Sequence, residues 1–220
     1  MSRKQVKLFN PDCNSRIPVD IKFYYSRGSN CSERVKWVLD HKQITYQQID
    51  ADELYGSEKY FEINPFGRVP SMIIDGMVLN ESMVMVEFLE ENFTTNPLLP
   101  KNPILKAEIR QICEIVNSTI HPMQNSKVVE FFKPGLDKKV KTEIRAQWVG
   151  KGLKTLTSYL WKQSKFAAGT QFSLADIFVT VIYNKGIDLG LNRKDYPQFE
   201  SHWNYLLSDP SISRHCPIAK

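Results

Sequence analysis

"VPSMIIDGMVLNESMVMVEFLEENF", Val69 to Phe93, decides the fold. Two short apolar runs flank Asp75-Gly76, a dipeptide suited to a two-residue hairpin turn whose central residues take positive φ. The continuation "ESMVMVEFLEENF" changes to helical periodicity. The stretch therefore predicts strand, turn, strand, helix. Upstream, "VDIKFYY" alternates as a first strand, and from Ser32 the apolar positions Val35, Val38 and Leu39 recur at helical spacing. "ITYQQID" reads as a second strand and "GSEKYFEIN" as a short helix. The order is βαβ followed by ββα, an α/β layer with a small mixed sheet.

The Pro- and Asn-rich "TTNPLLPKNP" ends that unit near residue 100. Beyond it, "ILKAEIRQICEIVNSTI", "KVKTEIRAQWVGKGLKTLTSYLWKQ" and "SLADIFVTVIYNKGI" all carry helical patterns, which predicts an all-α bundle beside the first domain. Residues 1–19 read as an extended N-terminal arm containing Pro11 and Pro18. At 220 residues the chain can bury a real core. Hydrophobic residues are 42% and charged residues 24%, a balance that places it among ordinary globular proteins.

Cys13, Cys31, Cys113 and Cys216 are scattered without CxxC spacing, which argues against a metal site or a disulfide framework and for a reduced, cytoplasmic compartment. No apolar run reaches membrane-spanning length, and the first residues lack an apolar signal core, so neither membrane insertion nor secretion is expected. The net charge of +5 favours small anionic ligands. Lys138, Lys139 and Lys141 have no interleaved aromatics and read as a solvated helix face, with no nucleic acid expected.

Chemistry is expected in "YYSRGSNCSERVKW", Tyr24 to Trp37. Open α/β sheets place ligands at the carboxyl ends of strands, and a helix N-terminus stabilises a thiolate. Ser29 can donate its hydroxyl to such a sulfur, or Ser29 or Ser32 can simply cap the helix. Cys31 is a rival redox nucleophile, or a small packed hydrophobe. At Val69-Pro70, a cis bond would turn the Val69 backbone outward to pair with a peptide-like ligand; a trans proline would only mark an edge strand. At Glu81-Ser82, Ser82 can cap the following helix, whose N-terminus attracts a carboxylate, while Glu81 can take an ammonium. Ser173-Leu-Ala-Asp176 is a capping-box pattern, with Phe172 and Ile177 placed as a hydrophobic staple.

The strand-turn-Ser-helix, "INPFGRVPSM", "NES" before a helix and "FSLADI" together resemble cytosolic glutathione transferases, from about residue 20 to the C-terminus. "SNCSERV", "IHPMQN" and "AQWVGKGLKTL" resemble segments of the zeta class, which includes maleylacetoacetate isomerase. The resemblance implies a thioredoxin-like glutathione-binding domain over 20–95, a linker over 96–104 and an all-helical domain over 105–220. It implies glutathione as cofactor, with catalytic roles for Ser29, Cys31 and Arg34, the last near the active-site mouth. It also implies glutathione binding by Ser29, Asn30, Arg68, the Val69 backbone, the cis residue Pro70, the pair Glu81 and Ser82, and His121 and Asn125.

Several positions depart from the class. Asn30 replaces a serine, Gly28 stands where an arginine is usual with Arg27 adjacent, His121 replaces a glutamine, and Glu81 stands where glutamine is frequent. The loop "DADELYGSEKYF" is shorter than typical. Asp188 aligns with the arginine that holds a substrate carboxylate in the class, and Lys185 lies nearby. The implied function is conjugation of a small-molecule electrophile, or cis–trans isomerisation of a maleylacetoacetate-like unsaturated dicarboxylate, by a homodimer. The alternatives are a non-catalytic module of the stringent starvation protein A type and a Cys31-dependent thiol oxidoreductase.

Overall fold

The computed structural model describes residues 20–54 and 56–218, so the expected arm and Cys13 lie outside the described residues. Strand β1 (Ile21–Tyr25) leads into helix α1 (Asn30–His41), then β2 (Gln47–Asp50), α2 (Glu58–Ile63), the hairpin β3 (Ser71–Ile74) and β4 (Met77–Asn80), and α3 (Ser82–Asn92). The sheet order is β2-β1-β3-β4. β1 and β2 are parallel, while β1–β3 and β3–β4 are antiparallel, with Phe23 opposite Met72. The turn works as the sequence predicts: Asp75 has φ 47° and Gly76 φ 84°, both in the left-handed region that a tight hairpin needs.

Strand β2 is shorter than "ITYQQID". Its first half closes α1 instead: the Ile44 N–H donates to the Leu39 carbonyl at 3.0 Å. Tyr46 packs edge-on against Phe23, and its hydroxyl sits between Lys36 and Asp40.

The rest is helical among the described residues: α4 (Pro103–Glu114), α5 (Ser126–Phe132), α6 (Lys138–Leu156), α7 (Leu174–Asp188), α8 (Pro197–Ser208) and α9 (Pro210–Ser213). Helix α4 does not continue regularly to Ile120. It passes into a π-helical turn over Ile115–Ile120, which re-aims the side chains that follow. Helix α6 also stops before "LWKQ". Thr157 bonds back to the Leu153 carbonyl, a 3-10 turn follows, and Trp161 takes φ 56° so that its N–H meets the Ala167 carbonyl at 3.1 Å.

That reversal serves Asp176. Its carboxylate accepts from the Ala167 N–H at 2.7 Å and from the Ser173 N–H and hydroxyl at 2.8 and 2.9 Å, the capping box that starts α7. Phe172 packs on Trp37 and His41 of α1.

Two buried features join sheet and helices. The Lys42 ammonium pairs with Glu90 at 2.7 Å and donates to the Phe93 and Thr95 carbonyls. Glu90 in turn accepts the N–H groups of Leu98 and Leu99, so the Pro-rich connection is held on both sides. Helix α7 is buried along nearly its whole length against α1 and α6. At Gly186 a β-carbon would stand 2.7 Å from Leu191 and 3.1 Å from Val149, so glycine permits the close approach of α6 and α7.

Candidate functional site

The turn after β1 is built around Glu33. Its Oε1 accepts from the Tyr25 hydroxyl at 2.6 Å and the Gly28 N–H at 3.1 Å, which fixes the backbone leading into α1. Burial and the Glu33 carboxylate push the Tyr25 hydroxyl pKa up, so Tyr25 stays a donor. Gly28 has φ 75°, a conformation that glycine adopts without strain. Ser29 is the N-cap of α1, its Oγ accepting from the Ser32 N–H at 3.4 Å. Ser32, expected as an equally good cap, sits inside the first turn, and its Oγ accepts from the Ser26 N–H. Capping consumes only acceptor capacity of Ser29; its O–H remains free to donate.

Cys31 is not a packed hydrophobe. Its Sγ lies 3.0 Å from Arg34 Nη2 and 3.4 Å from His121 Nε2. Burial pushes the thiol up, but Arg34, His121 and the Ser82 hydroxyl outweigh it and bring the pKa down to about 6. Arg34 itself is only 1% exposed. Its Nη1 donates to Asn117 at 3.0 Å, and the guanidinium lies over the Phe178 ring at 4.5 Å. The expectation that Arg34 stands at the mouth is therefore wrong. Arg34 points down the buried side of α1, where the π-helical turn delivers Asn117 to it.

The second wall is the edge before β3. The Val69–Pro70 peptide is cis. The Arg68 carbonyl accepts from the Tyr60 hydroxyl and from Asn64 Nδ2, both at 2.8 Å, and Tyr60 also reaches the Ser71 hydroxyl. This network fixes the chain just ahead of Val69. Glu81 then takes φ 70° as the N-cap of α3 and makes no side-chain cap bond. Ser82, expected to cap, is instead the first helical residue and is buried; its hydroxyl contributes to the Cys31 environment.

The helices supply the third wall. His121 Nδ1 meets Gln124 Nε2 at 3.1 Å, so the assigned amide donates and the proton on Nε2 faces Cys31. Asn125 caps α5 through its Oδ1. Arg145 of α6 donates from Nε to the Gln124 carbonyl at 2.5 Å, and Lys185 of α7 donates to the Gly28 carbonyl at 2.9 Å.

These walls enclose a cavity of about 470 Å³. Ser29, Asn30, Cys31, Arg68, Val69, Pro70, Glu81, Ser82, His121 and Asn125 all line it; Arg34 alone of the expected residues does not. No described residue of the short Asp50–Phe61 loop lines it, and neither does Asp188.

The glutathione S-transferase N-terminal domain family matches residues 28–92. A Caenorhabditis elegans protein named "Probable maleylacetoacetate isomerase" is 35% identical over 77% of this chain and 80% of its own length. The maleylacetoacetate isomerase of Dictyostelium discoideum is 32% identical over 86% of this chain and 90% of its own. The chain belongs to the glutathione transferase family, and within it is most like the zeta class. Among solved structures, the maleylacetoacetate isomerase of Methylobacterium extorquens with bound malonate and glutathione is 26% identical, with a TM-score of 0.81 over 90% of this chain and 97% of that one.

As in that transferase structure, a small mixed sheet precedes a helical part, the architecture expected from the hairpin. Sequence reasoning missed Arg145, Asn117 and Gln124. Gln124 lay inside the quoted "IHPMQN" and Arg145 just before "AQWVGKGLKTL", so both were adjacent to a signal. Asn117 carried none, because a π-helical turn decides where it points.

Proposed function

We propose that this chain is a glutathione-dependent enzyme of zeta type, acting on a small unsaturated acid or electrophile. The observation that carries the reading is the convergence in one cavity of a helix-capping hydroxyl, a free strip of extended backbone and a second helix start. The Val69 N–H and C=O have no partner among the hydrogen bonds of the described residues, which suits pairing with an extended peptide. The Asn30 Nδ2 is buried without a partner, a donor that a ligand would satisfy. Glu81 suits the γ-glutamyl ammonium, and the N–H groups at the start of α3 with Ser82 suit its carboxylate. Arg68, His121 and Asn125 complete the walls.

Bound glutathione supplies a sulfur nucleophile. The chain's contribution is to hold that sulfur ionised near neutral pH, through the Ser29 hydroxyl and the N-terminus of α1. Cys31 and Arg34 support the floor of the site beside it.

This reading takes residues 20–95 as the glutathione-binding domain, 96–104 as the linker and 105–220 as the helical domain of a cytoplasmic homodimer. The exposed apolar residues Phe66, Val78 and Val84 belong to the first half and would be covered by a second copy. Light scattering on the eluted protein tests the dimer.

Calorimetric titration with glutathione tests the central claim: heat of binding is expected, and its absence at millimolar ligand favours a non-catalytic module. Glutathione-dependent isomerisation of maleylacetone, run beside haloacid and aryl-halide conjugation, then separates isomerase from transferase.

A further inference from the structure

Resting on the glutathione reading, we propose that Arg145 and Lys185 form the seat for a carboxylate of the second substrate, which makes the enzyme selective for small organic acids. Both residues line the cavity, from α6 and α7 respectively. Arg145 commits only its Nε, to the Gln124 carbonyl, and Lys185 makes one bond, to the Gly28 carbonyl. Neither enters an ion pair among the described residues. The terminal amino groups of Arg145 and two of the three Lys185 protons are thus left to donate.

The nearby acids do not neutralise them. Glu33 acts on Lys185 only at a distance, with its Oε1 already accepting from Tyr25 and Gly28. Asp188 is exposed and stands outside the cavity. Burial lowers the Arg145 pKa; burial and the Arg145 charge lower that of Lys185. Two like charges held together in a partly buried wall without a counter-ion disfavour the empty site, and an anion between them relieves the repulsion.

The placement also says where the acid lies. Lys185 is bonded to the carbonyl of the residue preceding Ser29, so the seat adjoins the hydroxyl that addresses the sulfur. Arg145 offers a planar fork and Lys185 a point charge, a combination that favours a dicarboxylate over a neutral electrophile. The position aligned with the acid-binding arginine of the class holds Asp188, so alignment alone would read the seat as lost. The guanidinium instead arrives from the neighbouring helix.

The test is calorimetric titration of the full chain with maleate, in the presence of S-methylglutathione, which occupies the site without reacting. Wild-type protein is expected to bind maleate and not its dimethyl ester. Arg145→Gln and Lys185→Gln are each expected to weaken maleate about tenfold or more, the usual loss for a charged hydrogen bond, with little change in glutathione affinity. Arg145→Lys and Lys185→Arg keep the charge and should retain part of the binding, which separates loss of charge from loss of fold. Maleate binding unchanged in both glutamine variants overturns the proposal. So does an equal loss of glutathione affinity, since the cations would then hold the tripeptide's own carboxylate. A wild-type chain that binds no glutathione overturns the glutathione reading instead, and maleate titrated alone still judges the seat.

Discussion

The Arg34 guanidinium stands 3.0 Å from the Cys31 sulfur, one helical turn further along α1. Spacing on the helix brings the two together, and burial keeps water from weakening the contact. With the imidazole of His121 on its other side, the thiol is ionised above a pKa of about 6 despite its burial. Alkylation of Cys31 by iodoacetamide, followed by intact mass against pH, should therefore show a midpoint near 6. Arg34→Met should move the midpoint up by about one unit or more, the ordinary size of a neighbouring-charge effect. A wild-type midpoint near that of free cysteine would remove the ionised Cys31 from the account.

Ser29→Ala separates the hydroxyl from the thiol as the working group. A hydrogen bond to a charged acceptor contributes about 1.5–3 kcal/mol, equivalent to roughly one to two pKa units on the bound sulfur. The ultraviolet thiolate absorbance of bound glutathione should therefore titrate one to two units higher in Ser29→Ala. The variant also loses the α1 cap, which costs about 1 kcal/mol of stability. Cys31→Ala should keep most turnover. The opposite pattern, with Cys31→Ala inactive and Ser29→Ala intact, would establish the redox reading.

Asn64 and Tyr60 hold the Arg68 carbonyl and so present the Val69 edge. Asn64→Leu leaves that carbonyl one donor short and removes the bond from Asn64 Nδ2 to Ser71. The expected loss is about 1–3 kcal/mol in a denaturant melt, with weaker glutathione binding on titration. Stability lost with glutathione affinity intact would show that the edge does not depend on this network.

The hairpin was legible because Asp75-Gly76 leaves the backbone little choice, and the capping box because its residues are four consecutive positions. Both are local. The Ser29 turn was half legible: the strand-to-helix junction was clear, but Ser32 and Ser29 competed for the cap until the β1 geometry placed Ser26 against Ser32. The depth of Arg34 was not legible, because helical spacing gives a face and not what packs on it; Phe178 and Asn117 come from other helices. Arg145 was missed for a related reason. It reaches the cavity only because the chain over Pro122–Asn125 folds back to offer the Gln124 carbonyl to its Nε.

His41 ties stability to pH. Its ring packs on Phe172 and His215 at the end of α1, and its Nδ1 is buried without a partner. Burial, together with the His215 and Lys42 charges, lowers its pKa to about 4. Folded His41 therefore stays neutral where the unfolded chain, with an ordinary pKa near 6.5, takes up a proton. The unfolded state binds more protons in that interval, so stability falls as pH drops from about 6.5 to about 4 and this contribution levels off below. His215, also lowered chiefly by burial, acts in the same direction. Carboxylates contribute to acid unfolding too, so the measurement is a difference: urea melts of wild type and His41→Phe at pH 7 and pH 5. The phenylalanine keeps the ring packing and removes the titration, so its stability should fall less between the two pH values, by about 1 kcal/mol or more. Parallel losses in the two proteins would mean that His41 is protonated in the fold as readily as in the open chain.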